Sequence, residues 1–222
     1  MGMRPRIGAW HFSFVDAATV VVLALAVVVA SVPGGALNTE VHTWLAKRRL
    51  AATVRREWPV LQRVALPLYE RRGSPELIEF SDYQCPFCRQ DQPTVDSAVA
   101  HGLRIAVVQL PLPMHPRAEP AAVTAMCAAV GGQFIAVHQF LMRTSQWIKS
   151  SEATIIPDSL DTRARARFAA CDTTAAIKRR LNHQLALADS LGIAATPTFV
   201  SARGVMAVRP TLANLLEFAQ SK

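Results

Sequence analysis

The sequence is poor in cysteine, and its four cysteines do not form a metal-binding pattern. Cys85 and Cys88 are separated by two residues, whereas Cys127 and Cys171 lie far apart, and no His-x-x-x-His pair follows. A structural zinc site takes four cysteine or histidine ligands at characteristic spacings. The sequence therefore predicts no metal site, and we expect no cofactor.

The sequence also has no internal repeat, no nucleic-acid motif and no low-complexity tract beyond its apolar N-terminus. Its formal net charge of +8 is concentrated in residues 38–72, which hold eight Lys and Arg residues against three acidic ones. Two interpretations of this basic segment stay open: contact with anionic lipid, or a solvated helix face. Nucleic acid is not an expected partner, and residues 38–75 are predicted to be a juxtamembrane linker containing a helix.

Charge is absent from Ala17–Val32, sixteen consecutive and mostly apolar positions. Together with residues 33–37, which are also uncharged, the run reaches about 20 residues, enough to cross the core of a bilayer. We predict that residues 1–37 form a single N-terminal transmembrane span, with the rest of the chain outside the cytoplasm. The alternative is a cleaved signal segment, because Gly34 and Ala36 are small residues at the spacing that a signal peptidase recognises.

Beyond residue 76 the chain follows the order strand, helix, strand, helical block, two strands and helix. This order favours an α/β fold in which a helical block is inserted into a small sheet, with the first two strands parallel. Apolar runs and helical spacing support the assignments. The predicted strands are Leu77–Phe80, Leu103–Leu110, Pro197–Ala202 and Val205–Val208, and the predicted helical segments are Arg89–Ala100, Pro120–Leu191 and Thr211–Gln220.

The pair formed by Cys85 and Cys88 falls where a predicted strand ends and a helix begins. The open N–H groups and the positive end of the helix dipole favour a thiolate on the first cysteine and lower its pKa. Pro86 suits the first helical turn, where its missing N–H costs nothing. A purely structural disulfide in so small a loop would stabilise the fold little. The pattern therefore predicts thiol:disulfide exchange, with Cys85 as nucleophile and Cys88 as resolving thiol.

Three segments resemble the DsbA-like thioredoxin-fold proteins of the bacterial envelope. They are Phe80–Cys88 (FSDYQCPFC), His115-Pro116 before a helix that carries Cys127, and Gly192–Phe199 (GIAATPTF). The resemblance covers residues 76–222. It implies a thioredoxin fold with a helical insert at about residues 117–191, a Cys85–Cys88 disulfide passed to substrate proteins, and a location in the periplasm, either anchored in the inner membrane or soluble after signal cleavage.

The resemblance also implies roles for residues around the cysteine pair. Glu79 matches a buried acid that relays the proton of the second cysteine; the alternative is a partly exposed strand residue. Thr196 and Pro197, joined by a cis peptide bond, match the loop that faces the sulfurs and holds the substrate. Pro86 and Phe87 also match the substrate-binding surface.

Two further pairs are assigned through the same resemblance. Cys127 and Cys171 match positions that form a second disulfide in some members, and two reduced, buried cysteines are the alternative. His115 and His138 also fall on family positions, where we interpret them as packing or capping residues.

The direction of the reaction stays open at this stage. The main hypothesis is an oxidase or general exchanger for unfolded or reduced substrate proteins, recharged by a quinone-linked membrane partner that the family implies. Phe87 stands where the best-known oxidant of the family has a histidine, so we expect a weaker oxidant. The alternatives are a disulfide reductase or isomerase on the same fold, and a non-catalytic, tethered peptide-binding module.

Overall fold

A computed structural model describes residues 14–31, 36–70, 72–149, 155, 166, 168, 170–171, 175–207 and 209–220. Within these ranges the chain forms eight helices and five strands. The helices are α1 (Phe14–Ser31), α2 (Ala36–Val64), α3 (Pro86–Ala100), α4 (Ala118–Val130), α5 (Phe134–Arg143), α6 (Gln146–Lys149), α7 (Ala175–Ser190) and α8 (Leu212–Gln220). The strands are β1 (Leu66–Pro67), β2 (Leu77–Ser81), β3 (Ile105–Gln109), β4 (Thr198–Ser201) and β5 (Gly204–Met206).

The five strands form one mixed sheet in the order β1-β3-β2-β4-β5. Strands β2 and β3 are parallel, with Glu79 opposite Val107, whereas β4 runs antiparallel to β2 and places Phe199 opposite Glu79. Every residue of β2 and β3 is buried. This is expected of parallel strands that helices cover on both faces. The predicted α/β architecture of thioredoxin type is confirmed.

The two faces of the sheet belong to two separate apolar clusters because side chains alternate along each strand. Leu77 and Phe199 face the cluster that includes residues of α3, α4 and α5. Ile78 and Val200 face the other cluster, to which α2 and α7 contribute. Glu79 is two residues from Leu77, so it lies on the α3 side of β2, beneath the helix that starts next to the cysteine pair.

The compact body begins earlier than residue 76, the boundary predicted from the sequence. Residues Leu50–Lys222 form one compact unit. Helix α2 continues through Pro59, and its residues Val54 and Leu61 are fully buried. Strand β1 then pairs antiparallel with β3. The second half of the predicted linker is therefore part of the core, because its apolar side chains pack against the sheet.

The N-terminal unit, Met1–Arg49, contains α1 and the start of α2. The structure does not support the predicted membrane span: among the described residues, no helix is both long enough and apolar enough to cross a bilayer. Helix α1 has 18 residues, whereas a span takes about 20. The proposed cleavage position near Gly34 lies outside the described residues.

The helical insert packs against the α3 side of the sheet. Nine of the thirteen residues of α4 are buried, so this helix forms the centre of the insert. Cys127 of α4 is joined to Cys171 by a disulfide that closes a loop with a sequence separation of 44. The disulfide ties α4 to a part of the insert that is distant in sequence.

We expect the Cys127→Ala/Cys171→Ala double variant to lower the melting temperature without changing the exchange rate per folded molecule. A disulfide that closes a loop of this length stabilises a protein by about 4 kcal/mol in the chain-entropy estimate. Calorimetry of the variant, with reduced and oxidised wild type as controls, measures the loss. Free thiols at both positions in protein purified without reductant, detected by mass spectrometry, would contradict the expectation.

Candidate active site

Cys85 and Cys88 lie at the junction of β2 and α3. Cys85 is the N-cap residue of α3, with φ −64° and ψ 121°, and Pro86 is the first helical residue. Both cysteines are free thiols. Cys85 is 3% exposed and Cys88 1% exposed. The sequence-based expectation of a solvent-facing Cys85 sulfur is therefore wrong, and burial alone does not distinguish the two thiols.

The electrostatic surroundings of the two thiols distinguish them. A hydrogen bond from the Cys88 thiol, together with the backbone N–H groups of Phe87 and Cys88, lowers the pKa of Cys85 to about 5, against the opposing effect of burial. Burial raises the pKa of Cys88, and the hydrogen bond to Cys85 and the charge of Glu79 raise it further. At neutral pH the pair thus holds one thiolate, on Cys85, and one thiol, on Cys88.

The loop before β4 faces Cys85. The Thr196–Pro197 peptide bond is cis, and the Cys85 thiol donates a hydrogen bond to the Thr196 carbonyl at 3.4 Å. Thr198 donates its hydroxyl to the Ala195 carbonyl at 2.7 Å, which closes the turn at the start of β4. The structure therefore brings Thr196 to the cysteine pair from a distance of 111 residues in sequence.

Glu79 is 1% exposed in the centre of β2, so the alternative of a partly exposed strand residue is wrong. Burial raises its pKa to about 7, the carboxylates of Asp91 and Asp96 raise it further, and a hydrogen bond with Ser81 opposes the shift. A carboxyl group with this pKa exchanges protons near neutral pH. Because the charge of Glu79 acts on Cys88, Glu79 is placed to take a proton from that thiol.

The surface around the buried pair is apolar. Pro86 is exposed at the start of α3, and Phe87 is 56% exposed. Met114, which follows β3, is 73% exposed. Sequence reasoning missed Met114, although its position after the carboxyl end of β3, next to that of β2, indicates that it lies close to the cysteine loop.

The two histidines assigned to packing differ in their surroundings. His138 is buried and bonds to Tyr83 Oη at 3.1 Å and to Gln92 Oε1 at 3.2 Å. Burial lowers its pKa to about 4, so it is neutral at physiological pH. His115 instead contacts the buried carboxylate of Asp82 at 2.7 Å. Asp82 is the other residue that sequence reasoning missed, because the two partners lie 33 positions apart.

Among the described residues, no group of three or more His, Cys, Asp and Glu side chains is arranged to hold a metal ion. The chemistry that these side chains support is therefore that of the thiol pair, the acid beneath it and the proline loop opposite.

Comparisons with known proteins agree with this geometry. Helical thiol:disulfide proteins share the fold: a linker-deletion mutant of ScsC from Proteus mirabilis has a TM-score of 0.64 at 18% identity, over 96% of this chain and 97% of that one. The thiol-disulfide exchange protein alpha-DsbA2 from Wolbachia pipientis also has a TM-score of 0.64, at 14% identity, over 79% of this chain and 96% of that one.

A curated relative, Na(+)/H(+) antiporter NhaA 3 of Salinispora tropica, is 28% identical over 133 residues. The match covers 58% of this chain and 20% of the antiporter, so this chain spans about a fifth of the length of the curated relatives that it matches.

A sequence model of the thioredoxin family matches residues 70–217, which are two thirds of the chain. The matched range contains the cysteine pair, Glu79, the helical insert and the cis-proline loop. The chain therefore belongs to the thioredoxin family, with the fold of the DsbA-like thiol:disulfide exchange proteins.

Proposed function

We propose that this protein is an extracytoplasmic thiol:disulfide oxidoreductase that forms or exchanges disulfides in substrate proteins. The observation that carries the proposal is the opposite displacement of two neighbouring thiol pKa values, lowered at Cys85 and raised at Cys88. Such a difference assigns separate tasks to the two sulfurs, since the thiolate is the attacking and the leaving form. The loop of Thr196 opposite Cys85 supplies the surface against which a substrate chain can lie.

In the oxidising direction, the Cys85–Cys88 disulfide is the electron acceptor. A substrate thiolate attacks the Cys85 sulfur, the Cys85–Cys88 bond breaks, and Cys88 leaves as a thiolate that takes up a proton from Glu79. A second substrate thiolate attacks the substrate sulfur of the mixed disulfide and releases Cys85 as a thiolate. The substrate loses two electrons, and the cysteine pair gains them.

The low pKa of Cys85 favours this direction. A stabilised thiolate stabilises the reduced form of the pair and is a good leaving group, and both effects make the disulfide more oxidising. The absence of a histidine at Phe87 limits the effect. In the reductase or isomerase direction, Cys85 attacks the substrate and Cys88 resolves the mixed disulfide, giving its proton to Glu79.

The substrate surface follows from the exposure around Cys85. Phe87 and Met114 present apolar side chains beside a buried sulfur, and apolar groups of this kind become accessible in proteins that have not yet folded. Reduced or unfolded proteins are therefore the proposed substrates, bound in extended form along Thr196 and Pro197. A quinone-linked membrane protein is the proposed partner that restores the disulfide.

An extracytoplasmic location accounts for two features together. The Cys127–Cys171 disulfide is of a kind that persists in oxidising compartments and is rare in the cytosol. The apolar N-terminal run precedes the catalytic body, as in exported proteins.

We expect Cys88→Ser to accumulate covalent adducts with substrate proteins and Cys85→Ser to accumulate few or none. Without the Cys88 thiol, a mixed disulfide on Cys85 cannot be resolved internally. Non-reducing gels of protein isolated after acid quenching show the adducts, which should vanish with reductant. The control is Cys171→Ala, in which both active-site thiols remain. Equal adduct levels in the two serine variants would refute the assignment of nucleophile and resolving thiol.

We expect Glu79→Gln to slow the resolution of the mixed disulfide by roughly tenfold at about pH 8, because glutamine cannot accept the proton of Cys88. In wild type, Glu79 is protonated below its pKa of about 7, so the resolution rate should rise as the pH increases through that value. The variant should lack this rise. Stopped-flow measurements with a preformed mixed disulfide test it. Glu76→Gln, which changes a carboxylate paired with Arg104 on the surface, is the control, and an unchanged pH profile in Glu79→Gln would exclude the relay.

We expect a C-terminal alkaline phosphatase fusion to be active in bacteria and the matching green fluorescent fusion to be dark, since the first requires export and the second fails to mature after it. The reverse pattern would assign the catalytic body to the cytoplasm.

A further inference from the structure

Asp82 is a buried acid whose four hydrogen bonds join two loops of the active site. Its side chain is fully shielded from solvent. Oδ1 accepts the backbone N–H of Gln84 at 2.7 Å and that of Cys85 at 3.2 Å. Oδ2 accepts the backbone N–H of Leu112 at 2.8 Å and bonds to His115 Nδ1 at 2.7 Å. A carboxylate with four donors is saturated, so its orientation is fully determined.

The position of these bonds follows from the sheet. Asp82 comes directly after β2, and the segment 110–117 comes after β3, the parallel neighbour of β2. The carboxyl ends of parallel strands meet at one edge, and at this edge Leu110 donates its N–H to the Ser81 carbonyl at 2.9 Å. Gln84 adds another link, since its Oε1 accepts the N–H of Arg117 at 2.7 Å, at the start of α4.

Cys85 depends on these bonds for its position. Its N–H lies between the Asp82 carboxylate and the Asp82 carbonyl, at 3.2 and 3.1 Å. The side chain of Cys85 makes no capping bond to α3. Asp82 therefore orients the backbone of the residue that carries the thiolate, and in this way aims the sulfur at the N–H groups of Phe87 and Cys88.

The carboxylate also brings a negative charge close to that thiolate. Like charges in a water-poor site disfavour each other, so an unneutralised Asp82 would raise the pKa of Cys85. The donors to Oδ1 and Oδ2 reduce this effect. Three of them are backbone N–H groups, and the fourth is His115, whose side chain is 17% exposed. His115 is the side-chain member of the group, and so the one that substitution can remove without changing the backbone.

Resting on the proposed function, we propose that Asp82 and His115 are positioning residues for the exchange reaction. Through Asp82, the hydrogen bond of His115 holds Cys85 in the orientation that makes it reactive, and it ties the Met114 loop to the cysteine loop. We name Asp82, His115 and the N–H groups of Gln84, Cys85 and Leu112 the aspartate clamp.

His115→Ala removes one donor of the aspartate clamp. We expect it to raise the pKa of Cys85 by roughly one unit, which leaves about a tenth of the thiolate below that pKa and slows attack on a disulfide in proportion. His115→Asn places an amide nitrogen where Nδ1 lies, so it keeps a donor to Asp82 and should restore most of the loss. His101→Ala is the matched control, since His101 is exposed and bonds to the Ser97 carbonyl at the far end of α3.

A double-mutant cycle tests whether His115 acts through Asp82. In an Asp82→Asn background, His115→Ala should change the pKa of Cys85 far less than in wild type, because the carboxylate that it orients is gone. The pKa is measured from the ultraviolet absorbance of the thiolate as a function of pH, and folding of each variant is checked by circular dichroism. This measurement needs no turnover. If wild type failed to exchange disulfides, the proposed function would be wrong, and the pKa values would still decide the role of the clamp.

Three results would overturn the inference. The first is a His115→Ala variant that melts at a lower temperature but keeps the wild-type pKa of Cys85, which is the result of a purely structural role. The second is a pKa that stays raised in His115→Asn. The third is an effect of His115→Ala that is equal in the wild-type and Asp82→Asn backgrounds.

Discussion

Two sulfur atoms that share one proton in a water-poor site are the constraint on which the rest of the structure depends. Neither Cys85 nor Cys88 is appreciably exposed, so the charge on Cys85 is balanced by protein dipoles rather than by solvent. The Cys88 thiol and the first N–H groups of α3 supply those dipoles. They can do so only if α3 begins at a defined residue, and the buried strands β2 and β3 hold its first turn in place.

The helical insert is connected to this first turn. Arg89, the residue after Cys88, donates hydrogen bonds to the carbonyls of Leu141 at 2.6 Å and Thr144 at 2.7 Å, at the end of α5. His138 of α5 bonds to Tyr83 on one side and to Gln92 of α3 on the other. These bonds satisfy carbonyls that a helix end leaves open. The insert therefore braces α3 in addition to covering the sheet.

The elements defined by local pattern were predictable from the sequence, and those that depend on distant packing were not. The run Leu77–Phe80, the Cys85–Cys88 pair and the helix after it follow from short-range rules, and the structure has β2 and α3 there. Pro59 and Pro67 suggested breaks in a linker, yet α2 passes through Pro59 because its Val54 and Leu61 are buried in the core. The contact between Asp82 and His115 has no local signal, since only the register of two parallel strands brings their loops together.

The outermost strand of the sheet carries a consequence for a protein whose proposed clients are unfolded chains. An open edge invites extended polypeptides to add a further strand, which leads to aggregation or to unproductive capture. Strand β1 has only two residues, and its second, Pro67, is exposed and has no N–H to offer. The opposite margin, β5, has only three residues. Client chains thus find little template at either margin, and their backbone can pair instead where the sulfur waits, along the segment of Thr196.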